Sequence, residues 1–410
     1  MIGQEFFGYL SLLITPGRIE PSVNNKSAPK RVAVVIPKYG LTGGAEDFCA
    51  RLSEHIAQNE DYEIHVLANR WQSTSPNVSF HGIPIVRFPR YLITTSFAFF
   101  TRRLLKKMPY DLIHAHDRIF EADIYTMHGI PHRRWVKEVR KKRHMSLFDL
   151  GTQWVEKKLV TGDSCRFFHA VSTLTKEKFL QEYPTVDPNR VRVIHPGIDA
   201  HRFSGLDRIA CRREIRERFG MGPRDRVVLF ASMNVDIRGL DRLVEGLARV
   251  RPASQNDFPV KLLVAGKGNV KRYRSLARKL GIEENVVFAG VADRETLDKM
   301  YLAADMFSIL SQFDTFSMTT LEAMAASLPV MISGNVGAKD LVKEGVNGFI
   351  VEDVNNAEQI ADKIEKMSDD SVRVRMAEEA FKTARAHTWE DTAGKIEEMY
   401  EEILRDKRRF

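Results

Sequence analysis

Short runs rich in β-branched residues alternate with amphipathic helical stretches twice along this 410-residue chain. The first series starts at Arg31 with RVAVVIP, continues with the helix AEDFCARLSEHIAQN and the strand YEIHVLA, and closes near residue 200. The second series starts at Arg226 with RVVLFAS and the helix GLDRLVEGLARV. Strands that alternate with helices favour parallel sheets covered by helices on both faces. The sequence therefore predicts two α/β domains.

Candidate functional residues lie where the predicted strands end. Further strands are predicted in the first series at PIVRF, DLIHAH, DIYTMH, FFHAV and VRVIH, and in the second at VKLLVAG, NVVFAG, MFSIL, PVMIS and GFIV. Ligands of open α/β sheets bind at the carboxyl ends of strands, so two facing domains would share a cleft. Residues at or just after these ends are Gly43, Gly44, His128, Arg238 and Asp314.

Composition places few limits on the protein beyond its broad class. The chain is 43% hydrophobic and 28% charged, as expected for a soluble globular protein. Its three cysteines form no C-x-x-C or Cys/His cluster, so we expect a cytoplasmic protein without disulfides or structural zinc. The net charge of +8 suits nucleic acid, an anionic membrane or phosphorylated substrates.

The N-terminal 29 residues are predicted to be an extension outside the folded domains. Their apolar run FFGYLSLLI is shorter than the about 20 residues that a membrane span needs. No basic segment precedes this run, which argues against a signal peptide. A loosely packed extension and a shallow membrane contact both remain open.

The stretch FDTFSMTTLEAMAASLP places two carboxylates around a predicted helix start. Seven residues separate Asp314 from Glu322, and Thr315 or Ser317 is the expected N-cap. The free N–H groups of the first helical turn favour an anion such as a diphosphate. The carboxylates would then serve sugar or ribose hydroxyls, because Glu322 within an apolar helix is costly unless it is paired. The alternative for Asp314 is that it caps the helix or the preceding turn.

These segments together resemble the family 4 retaining glycosyltransferases, which have the GT-B fold of two Rossmann-like domains facing across a cleft. The Asp314 to Glu322 spacing resembles the family's E-x7-E element, with Asp in place of the first Glu. Gly43-Gly44-Ala45-Glu46 resembles its glycine-rich loop, and HPGID with Phe203 its interdomain passage. The segments GLTGGAEDF, HPGID and RGLDRLVEGLA, and the basic stretch after His128, most resemble the lipopolysaccharide-core glucosyltransferases.

The resemblance implies a division of the chain. Residues 30–203 would form the acceptor-binding domain and residues 204–385 the domain that binds the nucleotide sugar. The remaining segment, 386–410, would be a helix that crosses back to the first domain.

The resemblance also assigns roles to individual residues. Arg238 would stabilise the departing diphosphate, and His128 would bond a hydroxyl of the donor sugar; His128, Arg238 and Asp314 are thus the catalytic candidates. Gly43 and Glu46 would contact the acceptor. The family's second cation is missing near Ser232, and Lys267 is a possible substitute, although a solvated loop lysine is the simpler interpretation. The remaining donor-site candidates are Gly44, Val291, Phe316, Ser317, Met318, Thr319 and Glu322.

The segment PHRRWVKEVRKKRH, from Pro131 to His144, is predicted to be a basic amphipathic helix. Trp135, Val136 and Val139 among cations suit an anionic bilayer or a phosphorylated glycolipid, and a solvated basic helix is the alternative. Nucleic acid is not expected as a partner, since no RNA- or DNA-binding module is recognisable.

The resulting prediction is a retaining hexosyltransferase, peripheral at the inner face of a bacterial membrane. It would use a UDP-sugar, with UDP-glucose favoured, a phosphorylated glycolipid acceptor and no cofactor. Metal independence is expected because the chain contains no D-x-D sequence. The alternatives are a GT-B sugar-nucleotide epimerase and a catalytically silent protein that binds nucleotide or anionic lipid.

Overall fold

Each half of the chain builds one large parallel sheet in a computed structural model, which describes residues 28–41, 43–73, 75–199, 201–251 and 259–408. The strands of the first half are β1 (Lys30–Val35), β2 (Lys38–Tyr39), β3 (Tyr62–Ala68), β4 (Arg70–Trp71), β5 (Val78–Gly82), β6 (Leu112–Ala115), β7 (Ile124–Met127), β8 (Phe167–Ala170) and β9 (Val191–Val193). Seven of them form a sheet in the order β5-β3-β1-β6-β7-β8-β9, and β2 pairs with β4 separately.

The helices of the first half cover both faces of this sheet. They are α1 (Gly44–Ile56), α2 (Leu92–Leu105), the short α3 (His132–Arg134), α4 (Leu147–Thr161) and α5 (Thr173–Glu182). Strand β1 shows why two layers are needed, because its side chains alternate between the faces. Val32 and Val34 pack into one core, while Ala33 and Val35 pack into the core on the opposite face.

The second half repeats the arrangement around a six-stranded sheet in the order β12-β11-β10-β13-β14-β15. Its strands are β10 (Arg226–Ser232), β11 (Val260–Gly266), β12 (Val286–Gly290), β13 (Met306–Ile309), β14 (Val330–Ser333) and β15 (Gly348–Val351). Its helices are α6 (Arg208–Arg218), α7 (Leu240–Leu247), α8 (Val270–Lys279), α9 (Arg294–Ala303), α10 (Met318–Ala325), α11 (Ala357–Ser368) and α12 (Asp370–Arg385). In the described part of the chain, the strands pair in parallel.

The last helix, α13 (Trp389–Lys407), returns to the first domain. Its buried residues Trp389, Ile396, Met399, Tyr400 and Ile403 belong to the same core as α1 and β1. The α/β class, the two Rossmann-like domains and the returning helix are therefore confirmed. The domain boundaries at residues 203 and 385 stay predictions; the first sheet ends at β9 and the second begins at β10.

One predicted strand was wrong. PIVRF is irregular, and the fifth strand of the first half is instead β5, whose Val78 pairs in register with Ile64 of β3. Pro84 and the following Pro89 lack N–H groups and interrupt a hydrogen-bonded ladder, while Phe88 is 87% exposed. The β-branched residues of PIVRF predicted a strand in the wrong place.

Two points concern contact with a membrane. The apolar run FFGYLSLLI lies outside the described residues. In the part of the chain that the structure describes, no helix combines the length and apolar character that crossing a membrane requires.

Candidate functional site

A cleft of about 840 Å³ lies between the two sheets, at the carboxyl ends of their strands. The first domain contributes Glu46 from α1 and His128 from the end of β7, and the second contributes Arg238 and Asp314. Four residues predicted from separate motifs therefore line one cavity. Gly43 and Gly44 begin α1, directly before the residues of that helix that line the cleft.

His128 lies at the cleft as an uncharged imidazole. Burial, with the nearby His169, lowers the pKa of His128 to about 3, so the ring is neutral at pH 7. Its Nε2 lies 3.0 Å from Nδ1 of His116, and its ring meets the edge of Phe48 at a centroid distance of 5.0 Å. A neutral, positioned imidazole can exchange a hydrogen bond with a hydroxyl of a ligand.

A buried polar chain supports His128 from behind. His114 bonds the hydroxyl of Tyr400, on the returning helix, and the hydroxyl of Thr126, each at 2.7 Å. Thr126 also bonds His169 at 2.9 Å, and His169 reaches the Ile194 carbonyl at 2.8 Å. His114 and His116 are both buried, and His116 also lines the cleft. The same bonds tie α13 to the floor of the cleft.

On the wall of the cleft that faces His128, Arg238 forms an ion pair with Asp314 of the same domain. Burial lowers the pKa of Arg238 to about 10, which leaves the guanidinium charged at neutral pH. Asp314 also accepts a hydrogen bond from the Phe316 N–H at 3.3 Å, so it stabilises its own turn as the alternative interpretation expected. Because a guanidinium has five N–H donors, Arg238 can keep this pairing and still bind a phosphate.

The loop that carries Arg238 is held by Gly239. Gly239 has a φ of 77°, a left-handed conformation that favours glycine. A Cβ atom there would lie 2.0 Å from the carbonyl oxygen of Leu310. The Leu310 N–H in turn donates to the Arg238 carbonyl at 3.1 Å. This close backbone contact sets the guanidinium beside β13.

Helix α10 begins as the sequence predicted, with Ser317 at the N-cap position. Ser317 has a φ of 78° and its hydroxyl does not cap the backbone; instead it bonds the hydroxyls of Thr319 at 3.2 Å and Thr320 at 2.9 Å. The first N–H groups of the helix, including those of Met318 and Thr319, therefore gain no cap from this side chain. Positive φ at a non-glycine residue is costly, and such strain is concentrated at functional sites.

The charge of Glu322 is paired, as its place in an apolar helix requires, and protein side chains already supply partners. Glu322 forms an ion pair with Arg202 and accepts a hydrogen bond from the Tyr301 hydroxyl at 2.9 Å. Arg202 also donates to Asp298, with its Nε at 2.9 Å. Arg202 follows HPGID in the passage between the domains, so this passage is fixed to the helix that begins at the cleft. The role of Glu322 in donor binding stays a prediction.

Of the ten predicted donor-site residues, only Arg238 and Asp314 line this cavity. The other eight are Gly44, Lys267, Val291, Phe316, Ser317, Met318, Thr319 and Glu322, and three of them lie as follows. Lys267 is an exposed residue in the loop after β11, and its N–H donates to the Ser232 carbonyl at 3.2 Å. Val291, which follows β12, is 60% exposed. Phe316 is buried and stacks on His195 at 5.9 Å. These positions surround the second domain's strand ends without contributing to the cleft wall.

The domains are joined by direct hydrogen bonds at the cleft. The Thr315 hydroxyl donates to the His128 carbonyl at 3.1 Å, and the Ser172 hydroxyl donates to the Thr315 carbonyl at 2.6 Å. Asp340 accepts from the Thr173 N–H at 2.7 Å and lies 2.9 Å from Nε2 of His195. These contacts hold the two walls of the cleft against each other.

Sequence reasoning missed the cations on the first domain's wall. Lys38, Arg118 and Arg140 line the cleft, together with the aromatic side chains of Trp135 and Phe148. Arg118 lies three residues after β6, and Lys38 directly follows the predicted strand RVAVVIP, so the rule of strand ends that selected His128 could also have found both. Arg140 belongs to the basic segment for which a phosphorylated glycolipid was one predicted partner, but its position at the cleft could not be read from that segment.

Two buried acids hold part of this wall in place. Glu156 of α4 accepts from Arg118 Nε at 2.7 Å, and Asp149 of the same helix accepts from Arg140 at 3.1 Å. His132 Nε2 lies 3.0 Å from Asp149. The guanidinium groups of Arg118 and Arg140 each bond a carboxylate on one side, and their remaining N–H groups can bind a ligand in the cleft. In the described ranges there is no cluster of three or more His, Cys, Asp or Glu side chains placed to hold a metal ion.

The basic segment after His128 differs from the predicted amphipathic helix. It contains only α3 and a π-helical turn at Trp135–Val139. Val136 is fully buried, and Trp135 and Val139 pack against the cluster of Ile130, Leu174 and Phe313. The apolar side of this segment faces the protein interior, because Phe313 of the second domain covers it.

Comparison with known proteins assigns each half to a family. Residues 42–202 match Glycosyltransferase Family 4, and residues 212–383 match Glycosyl transferases group 1. An uncharacterised glycosyltransferase of Methanocaldococcus jannaschii is 26% identical over 394 residues, covering 90% of this chain and 97% of the relative. A D-inositol 3-phosphate glycosyltransferase of Acidothermus cellulolyticus is 24% identical over 426 residues, covering 93% and 92%.

Solved structures share the fold. WaaG, a glycosyltransferase involved in lipopolysaccharide biosynthesis, superposes with a TM-score of 0.74 at 20% identity, covering 89% of this chain and 98% of WaaG. Anabaena HepE in complex with UDP and glucose superposes with a TM-score of 0.69 at 18% identity, covering 91% and 100%.

Proposed function

Because the chain belongs to the glycosyltransferases, with a family 4 domain followed by a group 1 domain, we propose that it transfers a hexose from a nucleoside diphosphate sugar to an acceptor on its first domain. One observation carries the proposal. His128 of the first domain and the Arg238–Asp314 pair of the second line the same cleft beside the start of α10. A cation, a neutral hydrogen-bonding group and a carboxylate thus meet where a sugar diphosphate would lie.

The donor is proposed to be a UDP-sugar, with glucose as the favoured hexose. Its diphosphate would lie against Arg238 and the first N–H groups of α10, which stabilise the negative charge that develops as the sugar departs. His128 would bond a sugar hydroxyl, and Asp314 would contact another directly or through water. HepE, which has the same fold, was solved with UDP and glucose.

Transfer is proposed to proceed with retention and without a metal ion. The acceptor hydroxyl would attack on the face from which the diphosphate leaves, and a leaving phosphate oxygen would take its proton. No side chain then needs to form a covalent bond to the sugar. The residues of this chain would act by positioning the two substrates and by excluding water as the domains close.

The acceptor is proposed to carry a phosphate. Lys38, Arg118 and Arg140 give the first domain's wall three cations, while Trp135 and Phe148 offer apolar surfaces for a sugar ring. A phosphorylated glycolipid such as a lipopolysaccharide core, at the inner face of a bacterial membrane, is the favoured acceptor. The Acidothermus relative acts on D-inositol 3-phosphate, which makes a soluble cyclitol phosphate the second candidate.

The test combines a donor panel with these two acceptors. Purified protein is incubated with UDP-, GDP- and ADP-sugars, alone and with truncated lipopolysaccharide core or D-inositol 3-phosphate, and nucleotide release is measured. Release that requires one acceptor identifies the donor and that acceptor. Donor consumption without any acceptor would favour an epimerase, and binding without turnover would favour a silent protein; either result contradicts the proposal.

A further inference from the structure

Exposed apolar side chains are concentrated on one side of the first domain. Of the 13 large apolar side chains exposed in the described chain, seven lie between β5 and the end of α4. They include Phe88, Tyr91, Phe99, Leu147, Leu150 and Trp154. We call this surface, formed by α2, the loop before it and α4, the α2–α4 face.

The apolar residues of this face are close in space as well as in sequence. Leu147, Leu150 and Trp154 recur at helical spacing on α4, so they share one stripe. Helix α2 packs beside them, with the Thr94 and Thr152 hydroxyls 3.0 Å apart. Between the two helices lies a groove of about 780 Å³ lined by Leu92, Phe99, Phe100, Phe120 and Trp154, among others. Isolated exposed apolar residues are ordinary, but a contiguous patch indicates a binding surface.

The exposed charges of the face are almost all positive. Residues 84–107 contain no Asp or Glu, and they contain six exposed cations. These are Arg87, Arg90, Arg102, Arg103, Lys106 and Lys107. Among the residues lining the groove, the acidic side chain is Glu121, and it lies 3.4 Å from Arg102.

Helix α4 also presents positive charge to solvent, because its two acidic side chains are buried. Asp149 is turned toward His132 and Arg140, and Glu156 toward Arg118. Both carboxylates are at most 2% exposed, so the charged residues that α4 presents to solvent are Lys157 and Lys158. The negative charges of this helix organise the cleft, while its outer surface keeps only cations and apolar groups.

We propose that the α2–α4 face binds an anionic lipid bilayer, with its aromatic and aliphatic side chains among the lipids and its cations on the phosphates. Apolar groups flanked by cations, with the carboxylates turned inward, are the pattern of surface binding to anionic membranes. A second copy of this chain would bring like charges together at this face, which disfavours a symmetric dimer there. Each cation near such a surface contributes roughly five-fold to partitioning.

The face also adjoins the cleft. Phe148 lines the cleft, while Leu147, its neighbour on α4, is 67% exposed on the face. A bilayer held there would present a lipid-anchored acceptor next to the wall that carries Arg118 and Arg140. This use of the membrane rests on the proposed function, whereas binding to lipid does not. The structure thereby moves the predicted lipid contact from Trp135 and Val139 to α2 and α4.

The test is co-sedimentation with phosphatidylcholine vesicles, with and without phosphatidylglycerol. The wild type is expected to sediment with the anionic vesicles, and less as salt rises. The variant F88S/F99S/W154S should bind at least ten-fold more weakly, as should R103Q/K106Q/K157Q. The matched control I209S/V374S removes exposed apolar side chains from the second domain and should bind like wild type.

A second measurement covers the case in which the triple variant folds poorly. Fluorescence of wild type and Trp154→Phe is compared with brominated phosphatidylglycerol vesicles, and the quenching is expected to require Trp154. No sedimentation of wild type, or no loss in either face variant, would overturn the proposal. The proposal would also be overturned if the protein formed a dimer without lipid and F99S disrupted that dimer. UDP affinity, measured in parallel, separates these outcomes from failure of the donor site.

Discussion

The guanidinium of Arg202 and the carboxylate of Glu322 form a largely buried ion pair between the interdomain passage and helix α10. Their side chains are 7% and 18% exposed. Arg202 also neutralises Asp298, so one cation serves two acids. Such an arrangement is favourable mainly because each charge has its partner, and removing a single partner leaves an uncompensated buried charge. The ion pair therefore fixes the interdomain passage to helix α10, which begins at the predicted donor site.

We expect Arg202→Ala to lower the free energy of unfolding by about 3–5 kcal/mol, because Asp298 and Glu322 lose their cation. Urea unfolding measures this change. Arg202→Ala combined with Glu322→Gln should cost less than the two single changes together, since the double variant removes a charge from each side. Arg249→Ala, which breaks an exposed pair with Glu358, is the control and should change stability little. Equal losses at Arg202 and Arg249 would contradict the buried coupling.

Replacing Arg238 with Ala should lower kcat/KM for acceptor-dependent nucleotide release by about 10²–10³, because the diphosphate loses its cation in the transition state. Arg238→Lys should lose less. The double variant Arg238→Ala with Asp314→Asn distinguishes the two roles of the arginine. If Arg238 only balances the charge of Asp314, the double variant is as active as Asp314→Asn alone; if Arg238 binds phosphate, the double variant is far less active than Asp314→Asn.

His128→Ala should lower kcat by about ten-fold and leave UDP affinity nearly unchanged, since the proposed bond goes to a sugar hydroxyl. Initial rates and calorimetric UDP binding measure the two effects separately. His144→Ala, at an exposed histidine of the first domain, is the control and should alter neither. A large loss of UDP affinity in His128→Ala would place the ring against the nucleotide instead.

Stability should fall as the pH is lowered below neutrality. Burial lowers the pKa of His169 to about 4, and burial with His169 nearby lowers that of His128 to about 3. Unfolded histidines titrate near about 6.5. Between these values the unfolded chain binds more protons, so the free energy of unfolding rises with pH up to about 6.5 and then levels off for these groups.

Urea midpoints across this pH range provide the measurement. A stability profile that stayed flat over this range would contradict the picture of neutral, buried histidines behind the cleft.

The sequence predicted most of the fold because parallel sheets need buried strands. The runs that became β1 and β10 are apolar almost throughout, and both are central strands. Their carboxyl ends led to Gly43 and Arg238, and the same rule led to His128 and Asp314. PIVRF failed because its β-branched residues suggested a strand that the flanking prolines prevent.

The contacts that complete the site were not predictable from local patterns. Arg202 lies on the interdomain passage, so its pairing with Glu322 depends on how that passage folds against α10. Trp135 looked like a lipid contact because a helical wheel cannot indicate that Phe313 of another domain covers it. These features follow from tertiary packing.

Gly239 and Gly281 offer a matched pair for testing how Arg238 is positioned. Their φ angles are 77° and 73°, so alanine should strain either backbone by about 1–2 kcal/mol. Only at Gly239 would the new Cβ also collide with the Leu310 carbonyl, since a Cβ on Gly281 has open space. We expect Gly239→Ala to lose about 10²-fold in kcat/KM through displacement of Arg238, and Gly281→Ala to keep its activity. Initial rates of nucleotide release, with circular dichroism to verify folding, provide the comparison. Equal activity in the two variants would mean that the Gly239–Leu310 contact does not set the position of Arg238.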